Sequence, residues 1–273
     1  MAPSKIVKPT GLDSRFQLAD GTVKNRIIAG LAGEIGTWKT SWGLGMPAPL
    51  LVQSLDQGTE GIAEPLIQKG KKIYLTKYSA NTNELREIKD DDERMAAAEE
   101  IASQIEDDFL YAIANGIRSI LWDKENQVYD IVKYAELGAP SDAPSNYYPI
   151  HQRLEAMIAA AKESDINFVC IRAMKTPWVS EVKGSGKIGA SPSKTQRIPA
   201  GWGRLEEQMH LNIINRFVEE VDDEGAKTLN VVMDIGKSRG PGGRDIQNTT
   251  IPYTEFAEFA TAVFPDTSQE DWE

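Results

Sequence analysis

Gly33-Glu34-Ile35-Gly36-Thr37-Trp38-Lys39-Thr40 is the stretch whose residue types and spacing speak most directly of chemistry. It follows the phosphate-binding pattern G-x-x-x-x-G-K-[ST] with one departure, because Trp38 stands where the second glycine belongs. The pattern works through a nest of backbone N–H groups at a helix N-terminus that encloses phosphate oxygens. A lysine adds positive charge and a hydroxyl reaches a divalent cation. Lys39 and Thr40 would fill those two roles, and the set that cradles a nucleotide extends from Gly33 through Ser41. Glycine at the departing position lets the backbone approach the phosphates closely, so a side chain there narrows the loop, weakens binding or stacks elsewhere. A glycine-rich turn with an incidental Lys-Thr is the plain alternative.

A second half-motif is Ser119-Ile120-Leu121-Trp122-Asp123, an apolar strand ending in an acid. In phosphate-loop NTPases such an acid orients Mg2+ through its waters. Other chemistries find little support. His151 and His210 are too isolated for a metal site. Cys170 alone supplies neither a disulfide framework nor a multi-cysteine zinc site. No Ser-His-Asp or Cys-His nucleophile motif appears.

These groups need a scaffold, and the hydropathy pattern outlines one. Strands are expected at Ile27 to Ala29, Leu50 to Val52, Ile73 to Leu75, Ser119 to Trp122, Ile166 to Ile171 and Leu211 to Ile214. An antiparallel pair, Arg216 to Val221 with Thr228 to Ile235, turns at Asp223-Glu224-Gly225. Met95, Ala98, Ala102, Ile105, Phe109 and Ala112 line one face of a long helix that begins at Asp90 and stops at Asn115-Gly116. Further helices are expected over residues 150–161 and 253–263. Residues 139–149 read as irregular and 173–204 as a long loop, the kind that in compact domains is functional or mobile. Strands alternating with helices argue an α/β fold with a mainly parallel sheet covered on both faces.

Composition sets the outer limits. With 273 residues, 41% apolar and 26% charged, the chain can bury a sizeable core, which excludes disorder and low-complexity classes. Its longest apolar runs are far too short to span a bilayer and the N-terminus lacks an apolar signal core, so a soluble protein with no membrane partner is expected. The formal charge of −11 is unevenly spread. Residues 83–108 hold eleven acids and three bases, as a solvated helix face would, whereas 171–204 hold seven bases and one acid.

Four blocks together resemble a known family. They are Gly33 to Thr40, then Pro49-Leu-Leu-Val-Gln-Ser-Leu-Asp56-Gln-Gly-Thr-Glu60-Gly61, then Arg118 to Asp123, and the ending Phe256-Ala-Glu-Phe-Ala-Thr-Ala-Val-Phe-Pro-Asp-Thr-Ser-Gln-Glu-Asp-Trp272. In this order the chain is similar to the RecA-like, AAA-type P-loop ATPases encoded by bacteriophages. The closing block is the most specific to the phage group. The resemblance implies a RecA-like domain over residues 26–273 with the antiparallel strands as a C-terminal extension, and residues 1–25, where Pro3, Pro9, Gly11 and Gly21 break any periodicity, read as an N-terminal arm. It implies ATP and Mg2+ as ligands, and ATP hydrolysis in phage DNA replication, recombination or single-strand annealing inside a bacterial host's cytoplasm. By the same resemblance Gly33 to Thr40 is the Walker A loop, and Asp123 is the Walker B acid that shares Mg2+ with Thr40. Asp56 activates water, with Glu60 as its rival, and Arg172 senses the γ-phosphate.

The basic loop 173–204 corresponds in order to the mobile loop that contacts DNA in RecA-like proteins. Lys175, Lys183, Lys187, Lys194, Arg197 and Arg204 would neutralise phosphates of single-stranded DNA, and Trp178 or Trp202 would stack on a base. The alternative is a solubilising loop or a subunit contact. A second basic segment, Lys237 to Arg244, reads as a surface turn or as an arginine finger reaching a neighbour's nucleotide in a homo-oligomer. Trp38, together with Lys124 where the family usually carries a small hydroxyl residue, also fits a nucleotide-dependent scaffold with little hydrolysis. A small-molecule phosphotransferase is the third reading.

Overall fold

The computed structural model describes residues 25–55, 58–78, 82–138, 143–182, 188–193, 196–221 and 225–273. The arm expected over 1–25 lies, except for Asn25, outside them. The chain begins with β1 (Ile28–Gly33), α1 (Lys39–Leu44), β2 (Leu50–Ser54), α2 (Thr59–Gln68), β3 (Ile73–Lys77), α3 (Thr82–Glu87) and α4 (Asp91–Ala114). It continues with β4 (Ser119–Asp123), α5 (Glu125–Leu137), α6 (Tyr148–Glu163), β5 (Asn167–Arg172), β6 (Met174–Lys175), β7 (Trp178–Val182), β8 (Ile188–Pro192) and β9 (Ile198–Pro199). After α7 (Leu205–Gln208) come β10 (Leu211–Val221), β11 (Lys227–Ser238), α8 (Gly243–Ile246), β12 (Thr249–Pro252) and α9 (Phe256–Val263).

Eight strands form one sheet in the order β12-β11-β10-β1-β5-β4-β2-β3. From β3 to β10 every pairing is parallel, and β11 and β12 are added antiparallel. The α/β architecture expected from the alternating elements is therefore present, with its antiparallel C-terminal extension. Central strands β1, β2, β4 and β5 are buried along their whole length, as strands roofed by helices on both sides must be. Alternation along each strand sorts side chains between two cores. Ile28, Leu51, Trp122, Phe168 and Cys170 pack under α4, α5 and α6. Ala29, Leu31, Val52, Leu121 and Ile171 pack on the other face with Trp42 of α1 and Phe256 and Phe259 of α9.

The long helix α4 starts where its capping chemistry dictates. The Asp90 carboxylate accepts the Glu93 N–H at 2.9 Å, and Asp91, Asp92 and Glu93 face the positive end of the helix dipole. Three expectations change. The stretch 139–149 is not irregular throughout, because a 3-10 turn covers Pro144–Tyr147 and α6 already begins at Tyr148. The stretch 173–204 is not one loop, because it carries two antiparallel pairs, β6 with β9 and β7 with β8. The strand expected at Leu211 to Ile214 and the one at Arg216 to Val221 are a single strand, β10, whose register shifts between Asn212 and Ile213. Among the described residues, no helix is long and apolar enough to cross a membrane.

Candidate nucleotide-binding site

β1 ends at Gly33, and the chain leaves it through a loop that ends at the first turn of α1. Gly33 is obligatory, since a Cβ there would lie 2.5 Å from the Asn215 carbonyl oxygen and 2.8 Å from the Thr37 hydroxyl. Gly36 takes a left-handed φ of 83°. Thr37 is buried, its hydroxyl donates to the Glu34 carbonyl at 2.8 Å, and its own carbonyl accepts Asn215 Nδ2 at 2.9 Å. Asn215 on β10 thus pins the loop from a neighbouring strand, a role with no signal in the sequence. Lys39 Nζ folds back over the loop and donates to the Glu34 carbonyl at 2.6 Å. Burial lowers the Lys39 pKa, while the Asp123 and Glu34 carboxylates oppose that shift.

Thr40 and Asp123 meet although they are 83 residues apart. The Thr40 hydroxyl lies 3.4 and 3.5 Å from the two oxygens of the Asp123 carboxylate. Strand parity explains the meeting. Asp123 shares its parity with Leu121, whose side chain faces the α1 core, so the acid emerges on the same face as the loop helix. Asp123 is 2% exposed, and it also accepts the Thr59 hydroxyl, which is in turn held by Ser54 Oγ at 2.9 Å. Ser54 and Thr59 escaped the sequence reading because single hydroxyls at a strand end and a helix start carry no pattern.

Comparisons with protein-family models and with curated proteins return no match. Among solved structures, the chain is similar to a KaiC-like protein from the hyperthermophilic archaeon Pyrococcus horikoshii at 14% identity and a TM-score of 0.45, over 84% of this chain and 85% of that one. It is also similar to RadB recombinase at 9% identity and a TM-score of 0.43, over 84% and 88% of the two chains. Both likenesses are distant, and the site's geometry carries the functional reading.

The remaining candidates fall into place unevenly. Trp38 adopts φ 56° and ψ 24°, the left-handed conformation for which the motif uses glycine. Its ring does not fill the loop but packs edge-to-face on Tyr253, with centroids 5.0 Å apart. Asp56 lies outside the described residues. Glu60, in the first turn of α2, forms an ion pair with Lys77. Arg172 is not brought to the loop. It shares its parity with Phe168 and Cys170 and so projects to the face opposite α1, where it is 3% exposed. There its guanidinium lies 3.4 Å from Glu125 and donates to the carbonyls of Ala200 at 2.8 Å and Trp202 at 3.0 Å.

Among the basic residues, Lys175 and Arg197 sit exposed on and beside the β6–β9 pair, whereas Arg204 faces Glu155 and Glu207 at 3.6 Å each. Lys183, Lys187 and Lys194 lie outside the described residues. Trp202 is buried, with its ring 5.7 Å from that of His151, so it is not free to stack on a base. Lys237 and Arg239 lie at the opposite end of the sheet from the loop. Ser238 registers with Leu211 and Leu211 with Ala29 near the start of β1, whereas the loop follows its end. They cannot serve this chain's own loop.

Proposed function

We propose that the protein is a RecA-like ATPase that binds ATP with Mg2+ at the loop Gly33 to Ser41 and hydrolyses it in phage DNA recombination, replication or annealing. The observation that carries the reading is the meeting of Thr40 with Asp123 beside Lys39. A hydroxyl and a carboxylate are the hard oxygen donors that Mg2+ takes, and the two lie 3.4 Å apart beside the loop. Thr40 would hold the ion and Asp123 would orient its waters. Bound there, Mg2+ would neutralise charge on the β- and γ-phosphates. The protein's own part is positioning. The loop N–H groups seat the phosphates, Lys39 exchanges the Glu34 carbonyl for a phosphate oxygen, and Asp56 or Glu60 orients the attacking water. Lys175, Lys183, Lys187, Lys194, Arg197 and Arg204 would carry single-stranded DNA. In a head-to-tail homo-oligomer, Lys237 and Arg239 would face a neighbour's loop. ATP turnover measured with and without single-stranded DNA tests the reading, and DNA-stimulated release of phosphate is the expected result. ATP binding without turnover would instead favour the scaffold, the reading to which the non-glycine residue at position 38 points.

A further inference from the structure

Trp38 combines two properties that seldom coincide. Its backbone is left-handed, a conformation that costs an L-residue free energy and glycine almost none. Its side chain is 55% exposed, whereas the side chains of Trp42, Trp122, Trp202 and Trp272 are all buried. Strained residues cluster at ligand sites, where the strain serves the mechanism, and core packing is not what an exposed indole does. The indole belongs to the residue that joins the loop to α1, and its ring leans on Tyr253 at an interplanar angle of 77°. Tyr253 follows β12 and is fixed by its N–H to the Val231 carbonyl at 3.1 Å, so the aromatic pair is anchored to the sheet and not to the loop alone.

A triphosphate seated in the loop must project its nucleoside out of the mouth, and a flat base needs a flat apolar contact there. We propose that Trp38 stacks on the base of the bound nucleoside triphosphate and that Tyr253 holds the indole in place for it. This inference rests on the nucleotide-binding reading above and deepens it, because the loop's departure from the motif becomes its means of recognising a base. The ligand class is a purine nucleoside triphosphate, whose large π face gives an indole the most contact.

The test compares ATP with inorganic tripolyphosphate, which has the phosphates and no base, by titration calorimetry with Mg2+ on the full chain. Trp38→Gly is the variant of choice because glycine suits the backbone conformation. Wild type should bind ATP about tenfold or more tightly than tripolyphosphate. Trp38→Gly should lose that advantage while holding tripolyphosphate as well as before, and Tyr253→Leu should reduce it several-fold. ATP should also quench tryptophan fluorescence in wild type, with no such quenching in Trp38→Gly. Retention of the ATP advantage in Trp38→Gly, or equal loss of both ligands, would overturn the stacking role, and an unchanged advantage in Tyr253→Leu would overturn the part given to that residue. Wild type binding both ligands equally removes the platform alone, whereas wild type binding neither removes the nucleotide site itself.

Discussion

Asp123 accepts from two threonine hydroxyls, acts electrostatically on Lys39 and is nearly sealed from water, so its charge is directed at the loop. Asp123→Asn keeps the shape and the acceptor while removing the charge. It should lower turnover by about two orders of magnitude or more, as removal of a charge acting on the transition state does. A steady-state phosphate-release assay checks this. The same assay apportions the water-orienting role, because Asp56→Asn should abolish turnover with ATP affinity kept, and unchanged turnover there with loss in Glu60→Gln would transfer the role. A residue far from the loop gives a pH prediction. Burial, with Lys162, Arg26, Arg239 and Lys237 nearby, pushes the His210 pKa down to about 4. The unfolded chain takes up that proton near 6.5, so this contribution to stability is present above about pH 6.5 and is lost as pH falls through 4. His210→Gln should therefore flatten the acid limb of a urea-unfolding series between pH 7 and pH 4.5. Identical slopes in the two proteins would contradict the assignment.

At the scale of elements, the base of the β6–β9 pair is tied to α5 by Glu125 and Arg172, both almost fully buried. The Trp202 N–H donates to Glu125 at 3.2 Å, and Gly201, at φ 82°, passes so close that a Cβ would lie 2.1 Å from Glu125 Oε2. Glu125→Ala would strip the Arg172 guanidinium of its buried carboxylate, leaving it Glu206 at 3.4 Å and the two carbonyls, and should cost about 1–3 kcal/mol, measured by urea unfolding, with part of the loss recovered in Glu125→Leu/Arg172→Met. A loss below about 1 kcal/mol would contradict the clamp. Arg172 also shows where sequence reading runs out. Its parity with Phe168 and Cys170 is visible in the sequence, but which face the loop helix occupies is not, so its distance from the loop emerged only with the fold. The loop and the Asp123 strand were legible because each is a contiguous motif whose meaning lies in its own spacing. Asn215 and Thr59 were not, because each acts through a contact made across the sheet. The helix α2 was missed because Pro65 and scattered charges mask its period, and the β7–β8 pair because its short strands lie among Gly, Ser and Lys.

Charge is unevenly spread along the chain, with the acidic stretch in α3 and α4 and the basic one between β5 and α7. If the basic stretch tracks a phosphate backbone, single-stranded DNA binding should weaken as salt rises, and each contact removed should reduce the logarithmic salt slope by about 0.7. Neutralising Lys183, Lys187 and Lys194 together should lower affinity and slope while ATP binding is kept. Unchanged affinity and slope would assign this stretch to protein contacts instead. All of this depends on the loop being a nucleotide site. The most direct measurement is the melting temperature of wild type and Lys39→Ala with millimolar ATP, with Mg2+ and with a chelator. A ligand that binds only the folded state stabilises it by mass action, about 2.7 kcal/mol at a hundredfold excess over Kd. A rise of several degrees that needs Mg2+ is expected in wild type and should vanish in Lys39→Ala. A wild-type melting temperature indifferent to ATP, or a rise that persists in Lys39→Ala, would contradict the nucleotide site.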